Sequence, residues 1–72
     1  MTPADLRTVG EVLHGPRWQR ALAVDLGVAY RTMLRWAAGE RVAPERLRGE
    51  LVDLIEARIE ALQAVLAELS RR

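Results

Sequence analysis

Arg31 and Arg35 stand four residues apart within the stretch Gln19–Gly39, QRALAVDLGVAYRTMLRWAAG. On a helix that spacing puts both guanidinium groups on one face. Each is a permanently charged planar fork of N–H donors, suited to paired bonds with a phosphate or with O6 and N7 of guanine. Tyr30 stands beside them, with a ring able to pack on a methyl group and a hydroxyl able to reach a phosphate. Thr32 adds a hydroxyl better placed for local backbone or phosphate than for a base edge. Arg17 and Arg20 flank Gln19 upstream, and Arg41 and Arg46 follow downstream. No comparable case exists for catalysis. The chain has one histidine, His14, and no cysteine, and it lacks a G-x-x-x-x-G-K phosphate loop. Glu50, Asp53, Glu56 and Glu60 are spaced as a solvated helix face. His14, just before Gly15-Pro16, reads as a helix C-terminal residue favoured by the dipole. The chain reads as a non-enzyme, with no cofactor, metal or small-molecule ligand expected.

For Tyr30, Arg31 and Arg35 to face outward, another helix must grip the opposite side of theirs. Leu22, Leu26, Val28, Met33 and Trp36 supply that buried seam. Gly27 lies where the preceding helix must stop, because only glycine reaches a left-handed conformation cheaply. Ala23, one turn earlier, allows close crossing. These offsets are those of a helix-turn-helix. The spacing predicts helices from Pro16 or Arg17 to Leu26, with Trp18, Leu22 and Leu26 inward, and from Tyr30 to Ala38, ended by Gly39. Tyr30, Arg31, Leu34 and Arg35 are left facing out. Upstream, Thr2, Pro3 and Asp5 are good helix-opening residues. Leu6, Val9 and Leu13 form one apolar stripe, and Gly15-Pro16 closes the element. Gly10 inside this helix costs about 1 kcal/mol against Ala and marks a candidate close crossing. Trp18 and Trp36 read as core anchors in preference to base-stacking platforms.

A fourth helix is expected from Pro44 onward. At about 27 residues and 1.5 Å each it would extend roughly 40 Å, so its distal half must project. Val52, Ile55, Ile59, Leu62, Leu66 and Leu69 repeat at alternating spacings of three and four, a heptad seam suited to a second copy of the chain. Val52 and Ile59 at one set of seam positions with Leu62 and Leu69 at the other favour two parallel strands, a preference that Ile55 and Leu66 blur. Leu47, Leu51 and Leu54 form an offset face for the chain's own core. A single broad stripe wrapping back over the domain is the competing arrangement. The expected fold is all-α: a compact helix-turn-helix domain of three short helices over residues 1–50, continuous with a C-terminal dimerisation helix over residues 51–72.

Seventy-two residues make one domain, and a chain this short is marginal without a partner, metal or disulfide. Net charge is only +1, but it is polarised along the chain. From Arg17 to Arg48 seven arginines face three acids, a net of +4, whereas from Gly49 onward three arginines face five acids, a net of −2. Every basic residue is arginine, which suits bidentate phosphate and guanine contacts and equally follows from GC-rich codons. No run approaches the ~18 apolar residues of a membrane span. MTPADLR lacks the pattern of a signal peptide, so a cytoplasmic protein is expected.

The segment Leu22–Leu51, with L-A-x-x-L-G-V, then R-T-x-x-R-W, then G-x-R-x-x-P-x-x-L, resembles the Cro/phage-repressor (XRE-type) family of helix-turn-helix DNA-binding proteins. The resemblance implies a bacterial or phage-encoded homodimeric transcriptional repressor, nucleoid-associated when bound, autoregulatory in some relatives. Anti-CRISPR-associated and other mobile-element regulators form one such group. It implies base reading by Tyr30, Arg31 and Arg35 in the major groove of double-stranded DNA. Backbone contacts would come from Arg17, Gln19, Arg20, Thr32, Arg41 and Arg46. Arg31 has the alternative of a phosphate contact only, and Arg35 that of pairing with Glu40. The operator would be palindromic, matching the twofold dimer. The chain departs from the family at Ala29, where a capping Ser or Thr is usual, in its short first helix with Gly10, and in merging the usual fifth helix into one long C-terminal helix. The alternative function is a protein-interaction module, an antitoxin or adaptor that uses the helix-turn-helix as scaffold.

Overall fold

Thr2 and Asp5 open the first helix by a reciprocal cap. The Asp5 N–H donates to the Thr2 hydroxyl at 3.1 Å and the Thr2 N–H to the Asp5 carboxylate at 2.9 Å, satisfying two otherwise orphan donors. In the computed structural model, which describes residues 1–72, four helices follow: α1 (Pro3–His14), α2 (Trp18–Leu26), α3 (Tyr30–Ala37) and α4 (Arg46–Ser70). There are no strands.

Three boundaries differ from expectation. α2 begins at Trp18, because Arg17 holds a non-helical backbone at φ −105°, ψ 52°. α3 stops at Ala37, one residue early. α4 begins at Arg46 and not at Pro44. The Pro44 and Glu45 carbonyls instead accept tight bonds from the Leu47 and Arg48 N–H groups at 3.0 and 3.3 Å, so the proline leads in through a narrower turn.

The glycine stops work as the sequence predicts. Gly27 sits at φ +66°. Its N–H reaches the Val24 carbonyl at 3.1 Å and the Val28 N–H reaches that of Ala23 at 3.0 Å. Gly39, at φ +77°, closes α3 with the same pair of bonds, Gly39 to Trp36 and Glu40 to Arg35. Both are Schellman closures, in which the left-handed residue turns the chain while satisfying the last carbonyls.

The core is one cluster of Leu6, Trp18, Leu22, Ala23, Met33, Trp36, Leu47 and Leu51. Both tryptophans are buried in it. Leu22 and Met33 are fully buried, each contributing roughly 1.5–3 kcal/mol by leaving water. Leu26 and Val28 are only half-buried, because they lie at the α2 end and in the turn, on the rim of the cluster. Leu54 likewise packs at the edge. The Gly10 crossing is real: a Cβ there would fall within the indole of Trp18.

Leu47 and Leu51 attach α4 to the core. From Glu56 to Arg72 every residue is exposed, and the molecule measures 49 × 23 × 20 Å. The stripe does not wrap back. Ile59, Leu62, Leu66 and Leu69 are 49–65% exposed. Ile55 departs from the expectation of a wholly free seam: it is half-buried beside Thr8, Val9, Val12 and Leu13 of α1. No helix is long and apolar enough to cross a membrane.

Candidate nucleic-acid interface

α3 has eight residues, and its inner face is spent on Met33 and Trp36. The outer face carries Tyr30, Arg31, Leu34 and Arg35, all exposed. Burying Met33 and Trp36 fixes the roll of the helix, so the two arginines are held outward by the same packing that builds the core. Arg35 makes no ion pair with Glu40. The ion pairs of the chain are His14–Asp25, Arg46–Glu50 and Arg71–Glu68. Glu40 is instead engaged through its backbone N–H, on the Arg35 carbonyl. Arg31 and Arg35 therefore stand exposed and without an ion-pair partner on the outer face of α3.

Two further groupings border that face. The Arg20 guanidinium of α2 lies over the Tyr30 ring, 4.1 Å from its centroid. Such a stack is worth about 0.5–1 kcal/mol at an exposed site. It holds a cation at the start of α3 and orients the tyrosine. Thr32, Arg41 and Arg46, with Trp36, Val42 and Pro44, line an open cleft between α3 and the start of α4. Its lining combines a hydroxyl with two guanidinium groups, the donors that a phosphate oxygen accepts from. Arg46 also meets Glu50 at 3.9 Å, a loose surface pair of at most about 1 kcal/mol that leaves the arginine free to exchange partners.

Arg17 and Gln19 lie at the mouth of α2, which has no side-chain cap. The N-cap of α3, Ala29, is also without a side-chain bond, as expected from its lack of a hydroxyl. Both helix starts keep unsatisfied N–H groups and positive dipole ends. Of the nine residues singled out from the sequence, Tyr30, Arg31 and Arg35 share a face, Arg20 joins Tyr30, and Thr32, Arg41 and Arg46 share a cleft. Arg17 and Gln19 stand at the α2 start.

The sequence reading missed the stacking of Arg20 on Tyr30. Ten residues separate them, and only the α2–α3 crossing makes them neighbours. It also missed the pairing of His14 Nε2 with Asp25 Oδ2 at 2.5 Å, which ties the end of α1 to the end of α2. Arg58 likewise reaches back to donate to the Leu13 carbonyl at 3.3 Å, a cation on the negative end of α1.

Compared with protein-family models, curated proteins and solved structures, the chain matches none.

Proposed function

We propose that the protein is a sequence-specific DNA-binding transcriptional regulator that represses from an inverted-repeat operator as a homodimer. The observation that carries the reading is the outer face of α3, where Arg31 and Arg35 stand exposed and without an acidic partner beside a stacked Arg20–Tyr30 pair. Such a helix enters a major groove with its first residues toward the base edges. Arg31 and Arg35 would each bond O6 and N7 of a guanine, giving G·C pairs in every half-site. Tyr30 would meet a thymine methyl or a phosphate. The cleft of Thr32, Arg41 and Arg46 and the open start of α2 at Arg17 and Gln19 would hold phosphates on either side, fixing register without reading sequence. The resemblance of Leu22–Leu51 to phage-type repressors supports the same reading, as does the positive charge over residues 17–48. A cytoplasmic location follows from it.

Selection of bound duplexes from a randomised pool tests this directly. The expected product is a palindromic consensus with G·C pairs in each half-site. A best duplex held no more tightly than bulk genomic competitor would overturn the proposal. The exposed apolar run from Ile59 to Leu69 favours a second reading, an adaptor or antitoxin whose long helix grips a different protein. Sedimentation of the purified chain separates the two: a stable homodimer supports the repressor, a monomer the adaptor.

A further inference from the structure

Two neighbouring stretches of apolar surface are left uncovered by the core. One is α4 beyond Ile55. The other is α1, where Val12 is 80% exposed. α1 runs alongside the first half of α4 in the same direction. Asp5 and Arg48 border the groove at one end, and the Leu13 carbonyl accepts from Arg58 at the other. Between them Val9, Val12 and Leu13 face Val52 and Ile55 across an open apolar groove. Arg58 and Leu51 thus mark the flank of the α4 seam on which α1 lies. Val65 belongs to that same flank, seven residues beyond Arg58, and is 56% exposed. A heptad seam gives it no partner.

We infer that the groove receives the distal half of α4 from a second copy of this chain, running antiparallel, so that Val65 of each copy packs on Val12 of the other. The inference rests on the homodimer of the proposed function and fixes its geometry. Two antiparallel seams pair Val52 with Leu69, Ile55 with Leu66 and Ile59 with Leu62, all centred between Glu60 and Ala61. Antiparallel helices bring like flanks together. The α1 side of one seam then meets the partner's Val65 side, at the height of Val12. A parallel pair brings unlike flanks together and sets Val12 against the polar Glu56 and Gln63 flank. It also crowds the two α1-bearing halves and leaves the bare halves to cover only each other.

At 1.5 Å per residue the two copies' Leu51 positions fall roughly 30 Å apart along the shared axis. That is close to the ~34 Å between successive major grooves on one face of DNA.

The chain has no cysteine, so single thiols can be placed at will on the full-length protein. Val12→Cys and Val65→Cys chains, mixed and oxidised without DNA, are expected to give a covalent dimer that neither chain gives alone. Within one chain these positions are about 14 Å apart in height, too far for an internal bridge. Leu69→Cys alone is expected to give no covalent dimer. Circular dichroism confirms that each variant stays helical, since all three positions are exposed. A covalent Leu69→Cys dimer, a monomer in sedimentation, or a dimer in which the mixed pair does not cross-link would each overturn the inference. Base reading by α3 stands or falls separately: a monomer that selects a consensus sinks the dimer, both here and in the proposed function, and leaves DNA reading by α3 standing, whereas a cross-linked dimer that selects none sinks only the repressor.

Discussion

Adding one methyl group at Gly10 and one at Gly49 should move stability in opposite directions. Both glycines lie inside helices, where alanine is favoured by about 1 kcal/mol. At Gly49 an added Cβ meets nothing within 4 Å, so Gly49→Ala should stabilise by about that amount and raise Tm by roughly 4–8 °C. At Gly10 the Cβ would sit in the indole of Trp18, which is only 3% exposed and has nowhere to go. Overpacking of that kind costs about 1–3 kcal/mol, so Gly10→Ala should lower Tm despite its better propensity. The sequence flagged Gly10 as a crossing because the propensity loss there needed a reason, but the partner became clear only with α2 in place. The arginines on the outer face of α3 divide in the same residue-by-residue way. On the proposed function, Arg31→Ala or Arg35→Ala should cost about 1–3 kcal/mol of operator binding and relax the preference at one base pair. Arg41→Ala should weaken all duplexes alike and flatten the salt dependence by about one phosphate contact per copy. Quantitative gel shifts at several salt concentrations against consensus and mismatched duplexes distinguish the two patterns.

Helix ends set how firmly each element presents its residues. Ala29, the N-cap of α3, holds φ −64° and ψ 142°, an extended conformation already suited to a capping side chain. Ala29→Ser should therefore add about 1 kcal/mol, read as a higher denaturation midpoint with unchanged slope. α1 is capped, and its cap depends on pH. The Thr2 N–H, bonded to the Asp5 carboxylate, is the main reason that group titrates below its ordinary 3.8. Because the folded value is the lower one, the stabilisation is present in full above the unfolded value and is lost as pH falls through the folded one. The stability gap between the native chain and an Asp5→Asn variant should accordingly close on acidification below about 3.8, as followed by denaturant titration at stepped pH. The sequence carried these features in plain form: glycines at three stops, Thr2 with Asp5 at one start, Met33 and Trp36 at helical spacing. Contacts between elements were less legible. Arg20 on Tyr30, His14 on Asp25 and Arg58 on the Leu13 carbonyl each join residues ten or more positions apart. No local spacing encodes such a meeting, because it depends on how helices cross. The start of α4 is not fixed by its proline, because a proline suits a first helical position and a tight lead-in turn equally well.

A core of eight buried apolar side chains is small for a free-standing domain, while a helix of 25 residues leaves Ile59, Leu62, Val65, Leu66 and Leu69 exposed to water. Those two facts answer each other if the second copy covers the first. Burial of the α4 seam then adds to the fold as well as to assembly, so dissociation and loss of stability should be linked. Ile59→Asp is the sharpest probe at this scale. Ile59 is 49% exposed and lies outside the core cluster, so the monomer should keep its helices. In a twofold pair the substitution strikes two layers at once, because each Ile59 meets the other copy's Leu62. Burying two unpaired carboxylates there is prohibitive, and the chain should sediment as a monomer. A single copy reaches one half-site, whose affinity physiological salt largely erases. Operator binding should thus fall beyond detection in a gel shift, with Arg31 and Arg35 untouched. Undiminished binding by a monomeric Ile59→Asp chain would show that one α3 suffices, and would separate the long helix from DNA recognition altogether.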